Sequence, residues 1–147
     1  MSKALIVYST RTGETKDIAE LIAEGLRMQG AEADVVNVTS VKKEADLEGY
    51  DAYVFGSPTY HRDMIGTMKT FLFLAQKANL GGKLGGAFGS YTHSGDAPAI
   101  IFDTMEHVFK MKMSTLGSFN LKESLVEDME GLRACQDYGK SICEQLA

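Results

Sequence analysis

The segment from Lys3 to Ile18, Lys-Ala-Leu-Ile-Val-Tyr-Ser-Thr-Arg-Thr-Gly-Glu-Thr-Lys-Asp-Ile, constrains the fold of this chain more than any other stretch. Ala4 to Tyr8 is a short apolar run bounded by polar residues, the pattern of a strand buried on both faces of a parallel sheet. A helix follows it. Between strand and helix lie Ser9, Thr10, Thr12 and Thr15 around one glycine, Gly13, with Asp17 and Glu20 arriving inside the helix. Such a turn aims several hydroxyls and the free N–H groups of a helix start at one point, which suits a phosphate dianion. One hydroxyl would cap the helix; four within seven residues exceed that need. The turn has neither the lysine of a P-loop nor the Gly-x-Gly-x-x-Gly of a dinucleotide fold.

The remaining chain alternates strand and helix. Thr15 to Gln29 places Ile18, Leu21, Ile22, Gly25 and Leu26 on one helical face, and Gly30 ends it. Ala33 to Val38 is a second strand, and Lys42 to Glu48 a short polar helix or turn. Tyr50 to Ser57 is a third strand, β-prone through Tyr53, Val54 and Phe55, and Pro58 stops it. Ile65 to Ala78 is a helix with Met68, Phe71, Leu72 and Ala75 inward. Leu84 to Ser90 is a fourth strand, whose glycines suit close packing by helices. Pro98 to Met111 is a helix with Ile101, Met105, Val108 and Phe109 inward. Lys112 to Leu121 is a fifth strand, weakened by Gly117 and its serines. Ser124 to Leu146 closes the chain as a helix capped by Ser124, with Glu127 at the capping-box distance and Leu132, Tyr138 and Ile142 on its apolar side. This alternation predicts an α/β fold: a parallel sheet with helices on both faces, joined by right-handed crossovers, with a ligand crevice where the strand order reverses.

A chain of 147 residues makes a single domain, residues 1–147, that buries roughly 70% of its extended-chain surface. No run approaches a membrane span and the N-terminus turns polar at Ser9, which predicts a cytoplasmic protein with no membrane partner. A net charge of −5 argues against nucleic acid and allows docking on basic partners. Cys135 and Cys143 lie eight apart in one predicted helix and read as reduced structural thiols. The three histidines, His61, His93 and His107, have no ligand spacing, so no metal site is expected.

The spacing Thr10-Arg11-Thr12-Gly13-Glu14-Thr15 matches Thr-x-Thr-Gly-x-Thr, and by it the chain resembles the flavodoxin family. The resemblance implies a doubly wound five-stranded sheet of order 2-1-3-4-5 and a loop, Ser9 to Thr15, that holds the 5′-phosphate of FMN. The loops after strands 3 and 4 then hold the flavin ring. The first reads Gly56-Ser57-Pro58-Thr59-Tyr60-His61-Arg62-Asp63-Met64, with Tyr60 the candidate stacker. The second reads Gly89-Ser90-Tyr91-Thr92-His93-Ser94-Gly95-Asp96, where backbone groups meet the pyrimidine edge and Tyr91 or His93 supplies a second aromatic. The cofactor set is thus Ser9 to Thr15, Ser57, Pro58, Thr59, Tyr60, His61, Arg62, Ser90, Tyr91, Thr92, His93 and Gly95. Gly86-Ala87-Phe88-Gly89-Ser90-Tyr91, Gly56-Ser57-Pro58-Thr59 with Met64, and Leu132-Arg133-Ala134-Cys135 are most similar to the flavodoxin domain of flavodiiron proteins, without the metal-binding oxidase half.

The chain departs from the family pattern at His61, where many flavodoxins carry the glycine whose peptide flips on reduction of the ring, and a non-glycine residue resists the positive φ of such a flip. His61 and Arg62 also bring positive charge where many flavodoxins carry acids, and a cation there would raise the flavin potential. Arg11 reads as a solvated side chain at the variable position. The resemblance implies an FMN electron carrier between redox partner proteins, with no catalytic side chain of its own, as a monomer or weak dimer. Its alternative is an NAD(P)H:quinone or flavin-dependent reductase of the same fold, which shares the Gly-Ser-Pro-Thr loop but needs an insertion that is not visible here. A receiver module would want clustered Asp residues after the first strand, where Ser9 and Thr10 stand.

Overall fold

The computed structural model describes residues 2–11, 13–60, 62–92, 95–126 and 128–146. In chain order the elements are β1 (Lys3–Tyr8), α1 (Glu14–Met28), β2 (Glu32–Asn37), β3 (Ala52–Gly56), a short hairpin of β4 (Thr59–Tyr60) and β5 (Asp63–Met64), and α2 (Gly66–Ala75). There follow β6 (Leu84–Tyr91), α3 (Asp96–His107), β7 (Lys112–Met113), β8 (Phe119–Lys122) and α4 (Met129–Leu146). Short 3-10 turns at Val38–Ser40, Glu44–Leu47 and Glu123–Leu125 join them. The main sheet runs β2-β1-β3-β6-β7, with β8 also paired to β6, and each of these pairings is parallel. With β7 and β8 counted as one fifth position, this is the order 2-1-3-4-5.

Strand periodicity explains why β1 is apolar throughout. Ala4, Ile6 and Tyr8 face one core with Ile18, Ile22 and Leu26 of α1 and Cys135, Tyr138 and Ile142 of α4. Leu5 and Val7 face a second core with Tyr53 and Phe55 of β3, Met68, Phe71 and Leu72 of α2, and Ile101 and Met105 of α3. Both faces of the strand are therefore dry, and an interruption on either one would open a core.

On the first face, glycines set how closely the two helices approach. A Cβ on Gly25 of α1 would stand 1.9 Å from the Gln136 carbonyl oxygen of α4, and one on Gly139 would stand 2.0 Å from the Ile22 carbonyl oxygen. The obstruction in each case is backbone, which cannot rotate away. Cys135 is buried in this interface, and burial pushes its thiol up to about 12, so it stays protonated and unreactive at neutral pH.

The structure revises the expected boundaries most at the fifth strand, the closing helix and the third helix. The fifth strand is broken: β7 pairs with Leu84 and Gly85, β8 with Phe88 to Tyr91, and 114–118 turns away between them. The break leaves Ala87, paired with Phe55 of β3, without a partner on the fifth-strand side, and the Tyr138 hydroxyl fills that gap. It accepts the Ala87 N–H at 3.2 Å and donates to the Gly117 carbonyl at 2.8 Å, with the Ala87 carbonyl at 3.3 Å. A Cβ on Gly86 would stand 2.9 Å from that hydroxyl, which is why the strand carries glycine there. The closing helix begins at Met129 rather than Ser124, because 123–125 forms a 3-10 turn and the Asp128 carboxylate accepts the Glu130 N–H at 3.0 Å. Glu127 lies outside the described residues. The third helix starts at Asp96, two residues before Pro98, which sits in the first turn where no intrahelical N–H bond is lost. Val108, expected to face inward, is 50% exposed, since α3 has ended at His107.

Gly25→Ala lowers stability by about 1–3 kcal/mol or more in urea unfolding, although Gly→Ala inside a helix ordinarily gains about 1 kcal/mol; a neutral result would disprove the backbone contact. Tyr138→Phe keeps the ring, packed on Phe119 at 5.3 Å between centroids, and strands the Ala87 N–H and the Gly117 carbonyl. It costs about 1–3 kcal/mol by the same measurement.

Candidate functional site

The loops that follow β1, β3 and β6 leave the carboxyl ends of three adjacent strands, and their bases are locked together. The Ser9 N–H donates to the Gly56 carbonyl at 3.0 Å and the Ser57 N–H to the Phe88 carbonyl at 3.2 Å, extending the ladder one residue beyond β1 and β3. Gly56 and Gly89 make the approach possible: a Cβ on the first would meet the Phe88 ring at 2.3 Å, and one on the second the Ser57 carbonyl oxygen at the same distance. Three loops thus start from one rigid base.

In the first loop the hydroxyls divide their work. Thr10 Oγ1 accepts the Gly13 N–H at 2.9 Å, closing the turn. Gly13 precedes α1 with φ +104, a conformation that demands glycine, and as the N-cap residue it offers the fifteen-residue helix no capping side chain. Thr15 Oγ1 lies 3.1 Å from Ser90 Oγ, and both residues are buried, so the first and third loops share a hydroxyl pair. Ser9 is fully buried and its Oγ has no partner. Arg11, expected to be solvated, is exposed but lies over the Tyr60 ring, with Cζ 5.1 Å from the ring centroid. Thr12 lies outside the described residues.

The second loop is a hairpin that the sequence had not suggested. Thr59 pairs with Met64 and Tyr60 with Asp63, with Arg62 in the turn between them. His61 lies outside the described residues; Arg62 is exposed and left-handed, with φ +62. Ser57 holds the loop shut from beneath. It is buried, donates to the Pro58 carbonyl at 2.9 Å and accepts the Ile65 N–H at 3.1 Å, so its hydroxyl serves the loop itself. Thr59 Oγ1 accepts the Ala97 N–H at 3.0 Å and so caps α3 across the crevice. Asp63 accepts the Met64 N–H at 2.8 Å and pairs with Lys69 of α2, whose ammonium holds the carboxyl below its ordinary range. Tyr60 is left half-buried at the rim.

In the third loop Ser90 is buried, Tyr91 half-buried at the end of β6, and Thr92 exposed. His93 lies outside the described residues. Gly95 is held by a residue that sequence reasoning missed, Asn120 of β8, whose Nδ2 donates to the Gly95 carbonyl at 2.8 Å. A Cβ on Gly95 would stand 1.5 Å from that nitrogen, and Asn120 Oδ1 is buried without a partner. No local pattern marks Asn120, since its role exists only once β8 lies beside β6.

A phosphate-bearing flavin nucleotide fits this arrangement on chemical grounds. The buried Ser9 hydroxyl without a partner is a donor whose isolation costs about 1–3 kcal/mol, and it stands beside an uncapped helix start that favours an anion. At that start Glu14 and Asp17 of the first turn, with Glu123, Ser124 and Val126, line a cavity of about 310 Å³. Burial, and then the charge of Glu14, hold the Glu123 carboxyl above its ordinary value. Glu14 and Asp17 thus stand in the first turn of α1 with Glu123 beside them, while Arg11 and Arg62 are carried by the first and second loops.

Because Arg62 holds φ +62 with a side chain, Arg62→Gly raises stability by about 0.5–1 kcal/mol, the left-handed penalty less glycine's own entropy. Arg62→Ala keeps the penalty and leaves the thermal midpoint unchanged, and equal midpoints for the two variants would show that the turn is not strained.

Comparison with known proteins places these loops in context. The family model described as a flavodoxin domain matches residues 5–120. A flavodoxin from Maridesulfovibrio salexigens is 33% identical over 151 residues, covering 99% of this chain and 100% of the relative. A flavodoxin from Clostridium saccharobutylicum is 37% identical over 89 residues, a match covering 60% of this chain and 55% of that one. An NAD(P)H dehydrogenase (quinone) from Cupriavidus metallidurans is 32% identical over 141 residues, covering 80% of this chain and 71% of the relative. Among solved structures, a flavodoxin from the domain Archaea superposes with a TM-score of 0.88 at 31% identity over 98% of both chains. A flavodiiron core from Synechocystis gives 0.88 at 20% identity, covering 99% of this chain and 36% of that one, a likeness of fold alone.

Proposed function

This chain belongs to the flavodoxin family, and we propose that within it the protein is a one-domain electron carrier that holds FMN and passes electrons between partner proteins. The observation that carries this reading is the buried Ser9 hydroxyl without a partner at the uncapped start of α1, in a chain whose loop matches the phosphate motif throughout.

Ser9, Thr10, Arg11, Thr12, Gly13, Glu14 and Thr15 are the phosphate-binding segment. Ser57, Pro58, Thr59, Tyr60, His61 and Arg62, with Ser90, Tyr91, Thr92, His93 and Gly95, form the two loops for the ring. When bound, FMN supplies the electron-transfer chemistry. The protein's part is to bind and orient. Thr10 sets the turn that presents the helix N–H groups; Ser57, Thr59 and Asn120 brace the two ring loops from the scaffold side; Tyr60 and Tyr91 offer aromatic surface at the rim. No side chain is asked to move a proton. Among the described residues no helix is long and apolar enough to cross a membrane, and the proposed setting is the cytoplasm, as a monomer or weak dimer with a net charge of −5 for docking on basic partners. The second reading, a quinone reductase, is favoured by the Cupriavidus relative's name and identity. It requires steady NAD(P)H-dependent quinone turnover by the purified protein, a result that would displace the carrier reading.

Purified protein is expected to show a flavin spectrum and to release FMN rather than FAD on denaturation. Ser9→Ala tests the site with opposite signs. It weakens FMN about 10- to 100-fold through loss of a bond to a charged group, and leaves ligand-free stability unchanged or higher because an isolated buried hydroxyl is gone. Fluorescence quenching of added FMN and a thermal melt read the two effects. A colourless protein that fails to quench FMN would end the FMN reading.

A further inference from the structure

We propose that Arg11 is a specificity residue for the phosphorylated flavin: its guanidinium, held over the Tyr60 ring, straps the phosphate loop to the ring loop and adds a full positive charge for the dianion. This rests on the FMN reading of the site and goes beyond it, because the phosphate motif leaves position 11 open to any residue.

Three observations converge on Arg11. The first is geometric. The loops after β1 and β3 are joined at their bases by the Ser9 to Gly56 hydrogen bond, and the Arg11 to Tyr60 contact, 5.1 Å from Cζ to the ring centroid, joins them again near their tips. The second is charge. Arg11 is the single cation in the segment from Ser9 to Thr15, Glu14 is its single acid, and Asp17 follows within the first turn of α1. Without Arg11 the segment would carry a net charge of −1 toward a dianion, with hydroxyls and amides alone to offset it. The third is the chemistry of the group itself. A guanidinium stacks on an aromatic ring through its flat face and keeps its N–H donors at the edge, so one residue can hold Tyr60 and still hydrogen-bond phosphate oxygens. A lysine could supply the charge but not the stacked, two-loop arrangement.

The strap also gives binding an order. Anchoring the phosphate fixes Arg11, and Arg11 fixes the face of Tyr60, so the ring loop is prepared by the far end of the ligand. A flavin that lacks the phosphate loses this preparation along with the charge. Arg11 is exposed and supports no core, which makes its removal tolerable to the fold.

Titrations of FMN and of riboflavin, followed by flavin fluorescence at low and at high NaCl, test this in the wild type, Arg11→Ala, Arg11→Lys, Tyr60→Leu and the double variant Arg11→Ala/Tyr60→Leu. Arg11→Ala is expected to weaken FMN about tenfold and riboflavin about twofold or less, with the difference shrinking in salt. Arg11→Lys recovers part of the FMN loss at low salt only. On the Tyr60→Leu background the Arg11→Ala effect falls below about threefold, because the ring that holds the guanidinium is gone. Equal losses for both flavins, no loss at all, or a full tenfold effect without Tyr60 would overturn the proposal. Those results leave wild-type FMN binding intact and so leave the FMN reading standing; a wild type that binds neither flavin overturns both.

Discussion

Everything in this molecule depends on β1 being buried on both faces. A strand with Ala4, Ile6 and Tyr8 against one helical layer and Leu5 and Val7 against the other has no solvent-facing edge or side, and sits inside the sheet between β2 and β3. The chain then leaves β1 for β2 through α1 on one face, and reaches β6 from β3 through α2 on the other. Connections that depart to opposite sides cannot fill the space above the carboxyl ends of β1 and β3, and that opening is the crevice. Its location follows from strand burial and crossover handedness, before any ligand is considered.

A site opened this way carries local costs that the scaffold must absorb. Ser9 is a buried hydroxyl without a partner, α1 begins at a glycine that has no capping side chain, and Arg62 stands in a left-handed conformation. Each is unfavourable on its own, and together they gather at the first two loops. The compensation lies just beneath them, in the ladder bonds of Ser9 and Ser57, the Thr59 cap on α3, the Asn120 brace on Gly95 and the large buried cores. The contrast with α4 is instructive: there the Asp128 carboxylate accepts the Glu130 N–H, one of the donors at the helix start.

Much of this was legible in the sequence because it is local. The apolar run at Ala4 to Tyr8 and the hydroxyls that follow it need only neighbouring residues to be read, and the sheet order came from the flavodoxin resemblance rather than from composition. What escaped detection is long-range. The break in the fifth strand is stable because Tyr138, some twenty residues later, supplies the missing hydrogen bonds, and nothing around 114–118 announces that. Asn120 braces Gly95 across two strands for the same reason. The start of α4 was misplaced because Ser124 is a plausible cap by composition, while the chain spends 123–125 in a 3-10 turn and hands the cap to Asp128. The hairpin after β3 was hidden by its shortness, since two pairs of residues leave no periodicity to find.

The ring loop turns the departure at position 61 into a more specific point. Glycine was expected to be needed where the backbone goes left-handed, and its absence at position 61 suggested resistance to that geometry. The structure shows that the hairpin already holds a left-handed residue one position later, at Arg62. A tight turn between paired strands favours positive φ, so the demand at Arg62 is set by the pairing of Tyr60 with Asp63. That pairing is in turn fastened to α2 by Asp63 and Lys69. The turn is thereby fastened from the scaffold side, and Arg62 in it carries both a positive charge and a left-handed backbone.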